Sequence, residues 1–224
     1  MTNSLTFYHN PQSRARIVRW MLEEVGAPYE TVVLDYGSTM KDSDFLAVNP
    51  MGKVPAIRHG DTVVTEAAAI CAYLADAFPE SGLAPPHASR LRGPYYRWMF
   101  FAAGPVEAAV TAKSLGLLAP EDKAAMAGYG TYEATVAALE TALAPGPYIC
   151  GEQFTAADVY VGAHIGWGMM FGTLPKRPAF EDYFARVSQR PAGIRASALD
   201  DALVAAAQAN QAEATPAEPS PSPA

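Results

Sequence analysis

The sequence predicts a small α/β domain followed by an all-α domain. Strand-like and helix-like patterns alternate over the first eighty residues in the order β-α-β-α-β-β-α, which is typical of a sheet with a parallel and an antiparallel half. After residue 89 no strand-like alternation occurs. The Pro-, Gly- and Ser-rich stretch PESGLAPPHAS separates the two halves. We therefore predict domains over 1–80 and 89–204, a linker over 81–88 and a tail over 205–224.

The elements of the first domain follow from apolar spacing, β-branched content and turn residues. They are, in chain order, a strand in LTFYH (5–9), a helix from just after Ser13 to Gly26, a strand in ETVVLD (30–35), one or two helical turns over 41–48, a hairpin of Ala56–His59 and Thr62–Thr65, and a helix in EAAAICAYLADAF (66–78).

The second domain reads as four helical segments with Pro or Gly stops between them. These lie near 90–116, 121–144, 155–171 and 178–190. In FTAAD, Thr155 is placed as an N-cap and Asp158 as its N3 partner, the pattern of a capping box at the start of a helix. We assign it a role in folding. The final stretch, NQAEATPAEPSPSPA, has almost no large apolar residues and is predicted to be disordered.

Composition excludes several classes of protein. The chain has 224 residues, half of them hydrophobic, which is enough for a substantial core. Its net charge of −7 argues against nucleic-acid binding, which needs a basic face. No apolar run reaches the roughly 18 residues of a membrane span, and the N-terminus has no apolar signal region. Two cysteines, Cys71 and Cys150, suit a reducing cytosol. We expect a cytoplasmic protein without nucleic-acid or membrane partners.

Two loops of the first domain could bind a peptide-like ligand. In NPMGKVPAI, Pro55 has no N–H for a sheet ladder; if the Val54–Pro55 bond is cis, the Val54 N–H and C=O could pair with a bound backbone. The alternative is an ordinary edge proline. In TEAAAI, Glu66 could take a ligand ammonium while the first helix amides hold a carboxylate. The alternative is a common acid in a first helical turn.

A third loop, YHNPQSRAR, leads into the first helix and carries Tyr8, Ser13, Arg14 and Arg16. In a sheet of the predicted order, this loop, the X-Pro loop and the TEA turn converge on one edge. Their convergence favours a binding site at that edge. The three loops together are a stronger indication than any one of them.

The chain resembles the cytosolic glutathione S-transferases over almost its whole length before the tail. The resemblance rests on YHNPQSRARIVRWMLEEVGAPYE, NPMGKVPAI and TEAAAICAYLADAFP in the first half, and on GEQFTAAD and FEDYFARVSQRPA in the second. It implies a thioredoxin-like glutathione-binding domain, a helical domain with an electrophile pocket, and a homodimer. It also implies detoxification by transfer of the glutathione thiolate to small hydrophobic electrophiles, with glutathione as co-substrate and no metal or other cofactor.

The resemblance assigns roles to particular residues. The Val54 backbone, before Pro55, would pair with the cysteinyl part of glutathione. Glu66 would bind the γ-glutamyl end together with the Ala67 N–H, because Ala67 replaces the usual Ser or Thr. Lys53 would pair with the glycyl carboxylate.

Catalysis needs a donor that stabilises the glutathione thiolate. Ser13 falls at the serine-type catalytic position and Tyr8 at the tyrosine-type position. We favour Ser13 and keep Tyr8 as the second candidate. Their alternative roles are a simple helix cap and a packed strand aromatic. Arg14 or Arg16 would add positive potential, and one of the two would form a structural ion pair.

The second-substrate pocket is predicted between the domains, on YYRWMFFAAG, with Tyr96, Met99, Phe100 and Ala103 facing the sulfur. Such a stripe is also typical of a core helix, and Trp167, Met169, Met170 and Phe171 fit either role. Two other functions remain open: a glutathione-dependent peroxidase or disulfide reductase on the same site, and a non-catalytic ligand-binding or assembly protein. Residues 8–16 contain no cysteine for thiol chemistry.

Overall fold

The computed structural model describes residues 4–214 and confirms the predicted fold class. The strands are β1 Leu5–His9, β2 Glu30–Val33, β3 Ala56–His59 and β4 Thr62–Thr65. The helices of the first domain are α1 Ala15–Val25, α2 Ser43–Leu46 and α3 Ala67–Ala77. Those of the second are α4 Arg92–Phe101, α5 Glu107–Ser114, α6 Tyr132–Ala142, α7 Ala156–Met170, α8 Pro178–Ser188 and α9 Pro191–Ala214. Within residues 4–214 no helix is both long and apolar enough to cross a bilayer.

The sheet has the strand order β2-β1-β3-β4. The β1–β2 pair is parallel, as expected for strands joined through a helix, whereas β3 runs antiparallel to both β1 and β4. The side chains of β1 alternate between the two faces of the sheet. Phe7 and His9 are fully buried on the main core side, while Tyr8 packs against a smaller cluster that includes Met40 and Phe45.

Helix α7 is the central element of the second domain. From Ala156 to Gly166 every residue is buried, and apart from Asp158 and His164 these residues are mostly apolar, as is typical of a buried helix. Its glycines allow close packing. A Cβ at Gly166 would lie 2.2 Å from the Phe184 ring, and one at Gly162 would lie 2.8 Å from Val187.

The capping box at the start of α7 is confirmed. The Asp158 carboxylate is completely buried and accepts the Thr155 N–H at 2.8 Å and the Ile149 N–H at 2.7 Å. It also accepts the Tyr183 hydroxyl at 2.8 Å. One side chain therefore joins the start of α7 to the preceding loop and to α8.

The structure corrects three boundaries in the second domain. Residues 121–131 hold only a 3-10 segment, Glu121–Met126, before α6 begins. The segment near 90–116 is interrupted by a π-helical turn at Ala102–Val106, because Pro105 has no N–H for the regular ladder. The third correction concerns the tail predicted over 205–224. Its first part, 205–214, belongs to α9, where the alanine-rich sequence favours helix. The remainder, 215–224, lies outside the described residues.

Helix α9, which the sequence pattern missed, packs against α1 and ties the two domains together. Asp200 is buried, and its Oδ1 accepts the Arg19 Nε–H at 3.1 Å and lies 2.7 Å from His9 Nε2. A second ion pair also links α1 to the second domain: Arg190 binds both carboxylate oxygens of Glu24 at 2.7 Å. Such fork-to-fork pairs fix orientation as well as distance.

Candidate active site at the first helix

The three predicted loops meet at one edge of the sheet, as expected. In the register of the strands, Tyr8 lies opposite Ala56, and Ala56 lies opposite Thr65. The end of β1, the start of β3 and the end of β4 therefore share this edge. The Val54–Pro55 bond precedes β3, and Glu66 follows β4.

Ser13 lies where the first loop enters α1. Its Oγ accepts the Ala15 N–H at 3.0 Å, and its hydroxyl donates to the Asn10 carbonyl oxygen at 2.8 Å. The regular helix begins two residues after Ser13, at Ala15, but this side chain still satisfies one of the free amides of the first turn. The hydroxyl is half-buried and would have to rotate away from Asn10 to donate to a sulfur.

Tyr8 lies on the other face of β1. Its ring centroid is 5.5 Å from that of Phe45 in α2, and the side chain is half-buried. No hydrogen bond to its hydroxyl occurs among the residues described here. This packing matches the alternative role of Tyr8 as a strand aromatic, and its catalytic role stays a prediction.

The Val54–Pro55 peptide bond is cis. Pro55 is buried and Val54 is half-buried. Within residues 4–214 the Val54 N–H and C=O take part in no backbone hydrogen bond, so both groups are available to a ligand. Lys53 is exposed, and its carbonyl oxygen accepts the Asn49 Nδ2–H at 2.7 Å, which holds the loop in place.

Glu66 has an unusual backbone conformation, with φ 67° and ψ 117°. Apart from glycine, it is the one positive-φ residue in the described part of the chain. Such a conformation is costly for a residue with a Cβ and tends to occur at functional sites. It places the exposed Glu66 side chain directly before the first amides of α3, at Ala67.

A cavity of about 700 Å³ opens beside the start of α1. Its apolar wall contains the side chains of Val110, Leu115, Trp167, Met170, Phe171 and Val204. Its polar wall contains Ser13, Arg14, Glu107 and His164. The cavity therefore combines an apolar, aromatic volume with the predicted thiolate donor.

The four residues predicted for the second-substrate pocket lie elsewhere. None of them lines this cavity: Met99 is in the core, Tyr96 and Phe100 are exposed, and Ala103 is half-buried. Helix α4 turns its Tyr95 and Met99 face to the core, and the cavity wall begins only after the π-helical turn, in α5. The aromatic pattern could not reveal which face of α4 is exposed. Trp167, Met170 and Phe171, which fitted either role, do line the cavity.

Both arginines at the helix start form ion pairs. Arg14 pairs with Glu107 of α5, and Arg16 pairs with Asp201 of α9 at 2.6 Å. The sequence predicted an ion pair for one of the two, and both form one because α5 and α9 each place an acid opposite this turn. Each pair links the first domain to the second.

His164, in the middle of α7, lies on the cavity wall and is buried. Burial, and then the nearby Arg14 charge, lowers the pKa of the imidazole to about 4. The Glu107 carboxylate lies 3.7 Å from its Nδ1, but Arg14 already balances that charge. His164 is therefore neutral at neutral pH.

Neither cysteine belongs to the site. Cys71 and Cys150 are unpaired and buried, and burial raises the pKa of the Cys71 thiol well above its usual range and that of Cys150 to about 12. Both thiols are therefore protonated and unreactive at neutral pH.

Three polar residues of the site were not predicted. The Asn10 side chain donates to the Leu34 carbonyl oxygen at 2.7 Å and accepts the Gln12 N–H at 2.9 Å, which fixes the loop before Ser13. Glu107 and His164 form the polar part of the cavity. His164 had a recognisable signal, since it is a single polar side chain in the apolar run VYVGAHIGW. Glu107 had none.

Known proteins resemble the chain in both halves. The model of the glutathione S-transferase N-terminal domain matches residues 3–76, and that of the C-terminal domain matches residues 107–186. The glutathione S-transferase GstB of Escherichia coli K12 is 30% identical over 193 residues, which cover 82% of this chain and 92% of GstB. Protein LigF of Sphingobium sp. is 48% identical over 62 residues, only 24% of LigF and 27% of this chain.

A solved structure extends this likeness to the whole fold. The sphingomonad glutathione S-transferase complexed with glutathione superposes with a TM-score of 0.71 at 31% identity, covering 88% of this chain and 98% of that one. The two-domain fold, the three loops at one sheet edge and these matches all lead to the same result: the chain belongs to the glutathione S-transferase family.

Proposed function

We propose that the protein is a glutathione transferase that conjugates the glutathione thiolate to small hydrophobic electrophiles, a reaction typical of detoxification. Ser13 stabilises the thiolate through its hydroxyl, and Arg14 adds positive potential. The Val54 backbone beside Pro55, the Glu66 carboxylate, the Ala67 N–H and the Lys53 ammonium bind the three parts of glutathione. Glutathione is a co-substrate, and we expect no other cofactor.

One observation carries this proposal. Ser13 lies in the loop that leaves β1 at the edge where the three loops start, and it also lines the 700 Å³ cavity. A thiolate held at Ser13 would therefore face an apolar volume that suits an electrophile. The sphingomonad relative, whose structure contains glutathione, supports the same ligand for this chain.

A glutathione titration tests the proposal. We expect calorimetry to give a dissociation constant in the micromolar to millimolar range typical of cellular substrates, and we expect turnover of a generic aryl halide. Glu66→Gln should weaken binding, because the amide cannot pair with the ligand ammonium. Asp61→Asn, at the exposed hairpin turn, is the matched control and should bind normally. If glutathione does not bind at all, the protein is a non-catalytic member of the fold.

We also propose a homodimer in the cytoplasm. Met51 of the first domain is 63% exposed, and Phe100 of α4 is 72% exposed, and apolar side chains this accessible favour burial against a second copy. Phe100→Asp should convert the dimer to monomer in light scattering at micromolar concentration, whereas Phe171→Asp, on the cavity rim, should leave it dimeric. A wild-type protein that is monomeric under these conditions would contradict the proposal.

The two buried free cysteines suit a reducing compartment such as the proposed cytoplasm.

A further inference from the structure

Two titratable side chains face each other on the wall of the cavity, which also carries other polar side chains such as Arg14, Thr111 and Ser114. Glu107 is at the start of α5 and His164 is in the middle of α7, and both line the cavity. The His164 side chain is only 6% exposed, and that of Glu107 is 30% exposed. Neither residue belongs to the glutathione loops.

The pair is left without a direct hydrogen bond. His164 Nδ1 is 3.7 Å from Glu107 Oε2, which is beyond hydrogen-bonding distance. His164 Nε2 is buried and has no partner within the described residues. Nδ1 likewise has no hydrogen bond to the described residues, and it is the nitrogen that faces the Glu107 carboxylate on the cavity wall, so one polar ligand group could bond to Nδ1 and Oε2 together.

A hydroxyl oxygen fits this gap. Placed about 2.8 Å from each atom, it would donate its proton to the Glu107 carboxylate and accept one from the imidazole, because a hydroxyl is both donor and acceptor. The imidazole can supply that proton. It is neutral, and the nearby carboxylate favours the tautomer with the proton on Nδ1. A methyl or halogen substituent could form neither bond.

We propose that Glu107 and His164 bind a hydroxyl group of the second substrate, which makes the preferred electrophile a hydroxyl-bearing aromatic molecule. The proposal rests on the glutathione transferase function given above. Trp167 and Phe171 provide aromatic surface for the ring. Arg14 pairs with Glu107 and so helps to hold the carboxylate at the cavity wall, where it can accept a hydrogen bond.

Binding of ready-made glutathione conjugates tests this without any turnover. Calorimetry would compare the dissociation constants of S-(4-hydroxybenzyl)glutathione and S-(4-methylbenzyl)glutathione. A second pair of conjugates, with one more methylene between the sulfur and the ring, would be compared in the same way. The hydroxyl and methyl groups have similar size, so the ratio of the two dissociation constants isolates the hydrogen bonds. We expect the hydroxyl conjugate to bind about tenfold tighter in at least one pair, as one charge-assisted bond predicts.

Three variants complete the experiment. Glu107→Leu and His164→Phe should each bring the ratio close to one, and Val110→Ala, which alters the apolar wall of the same cavity, should preserve it. If His164→Phe does not fold, the result for Glu107→Leu decides whether the inference holds. Glu107 is the more exposed residue of the pair, so its replacement should disturb folding less. Equal binding of both conjugates by the wild type, or a preference that survives both substitutions or is lost in Val110→Ala, would overturn the inference. If neither glutathione nor any conjugate binds, the proposed function itself fails.

Discussion

Replacing Ser13 by alanine is expected to lower turnover about ten- to hundredfold. The hydroxyl would donate a charge-assisted hydrogen bond to the thiolate, worth roughly 1.5–3 kcal/mol, which corresponds to about one to two units of thiol pKa. Without it, the thiol ionises at higher pH, so the apparent pKa in the pH–rate profile should rise. Glutathione affinity should change little, because the binding contacts are proposed at Val54, Glu66 and Lys53.

Two further variants separate the hydroxyl from its local role in the helix start. Ser13→Thr keeps an oxygen that can accept the Ala15 N–H and should restore most of the rate. Tyr8→Phe should have a small effect, because the Tyr8 ring packs on Phe45 away from the cavity. If Tyr8→Phe instead abolished turnover and Ser13→Ala did not, the catalytic role would move to Tyr8. Two mild effects would leave the amides of the helix start or Arg14 as the stabilising groups.

Replacing Asp158 by alanine is expected to lower the free energy of unfolding by about 4 kcal/mol. The variant leaves the buried N–H groups of Ile149 and Thr155 and the Tyr183 hydroxyl without their acceptor. Each such group costs roughly 1–3 kcal/mol when buried and unpaired. Urea denaturation would measure the loss. Molecules that remain folded should turn over normally, since Asp158 takes no part in the site.

Thr131→Ala is the matched control for this prediction. Thr131 caps α6 and accepts the Ala134 N–H at 3.1 Å, but the bond is exposed. Water can replace it, so the variant should lose only about 1 kcal/mol. Equal losses in the two variants would mean that burial adds nothing to the capping box at Asp158.

Most of the fold could be predicted from the sequence because the signals for its helices and strands are local. Apolar spacing ending at Gly26 predicted α1, the Gly60–Asp61 turn predicted the hairpin, and FTAAD predicted the start of α7. Helix α9 was missed because the Pro191 that begins it reads equally well as the end of α8. The π-helical turn was missed because a proline within an apolar helical pattern does not by itself fix the local winding.

The site was only partly predictable. Its loops were found because each carries a turn or proline signal and because strand order alone brings them to one edge. The cavity was not, since its wall depends on how α5 and α7 pack against the first domain. Glu107 is separated from Arg14 by 93 residues, and no local pattern connects them. Side chains that meet only through tertiary packing leave no such trace in the sequence.

The contacts between Asp200 and the first domain can form only late in the synthesis of the chain. Its carboxylate bonds to Arg19, which precedes it by 181 residues, and it lies beside His9 at the end of β1. Translation therefore produces the whole first domain before the ribosome has made the residue that completes its buried polar contacts. Until α9 emerges, Trp20 of α1 packs only against earlier residues such as Phe154 and lacks its neighbour Gly193 in α9. In a nascent chain stopped before residue 191 the buried Arg19 still lacks its carboxylate partner, so the polar contacts of β1 and α1 can be completed only after Asp200 has been made.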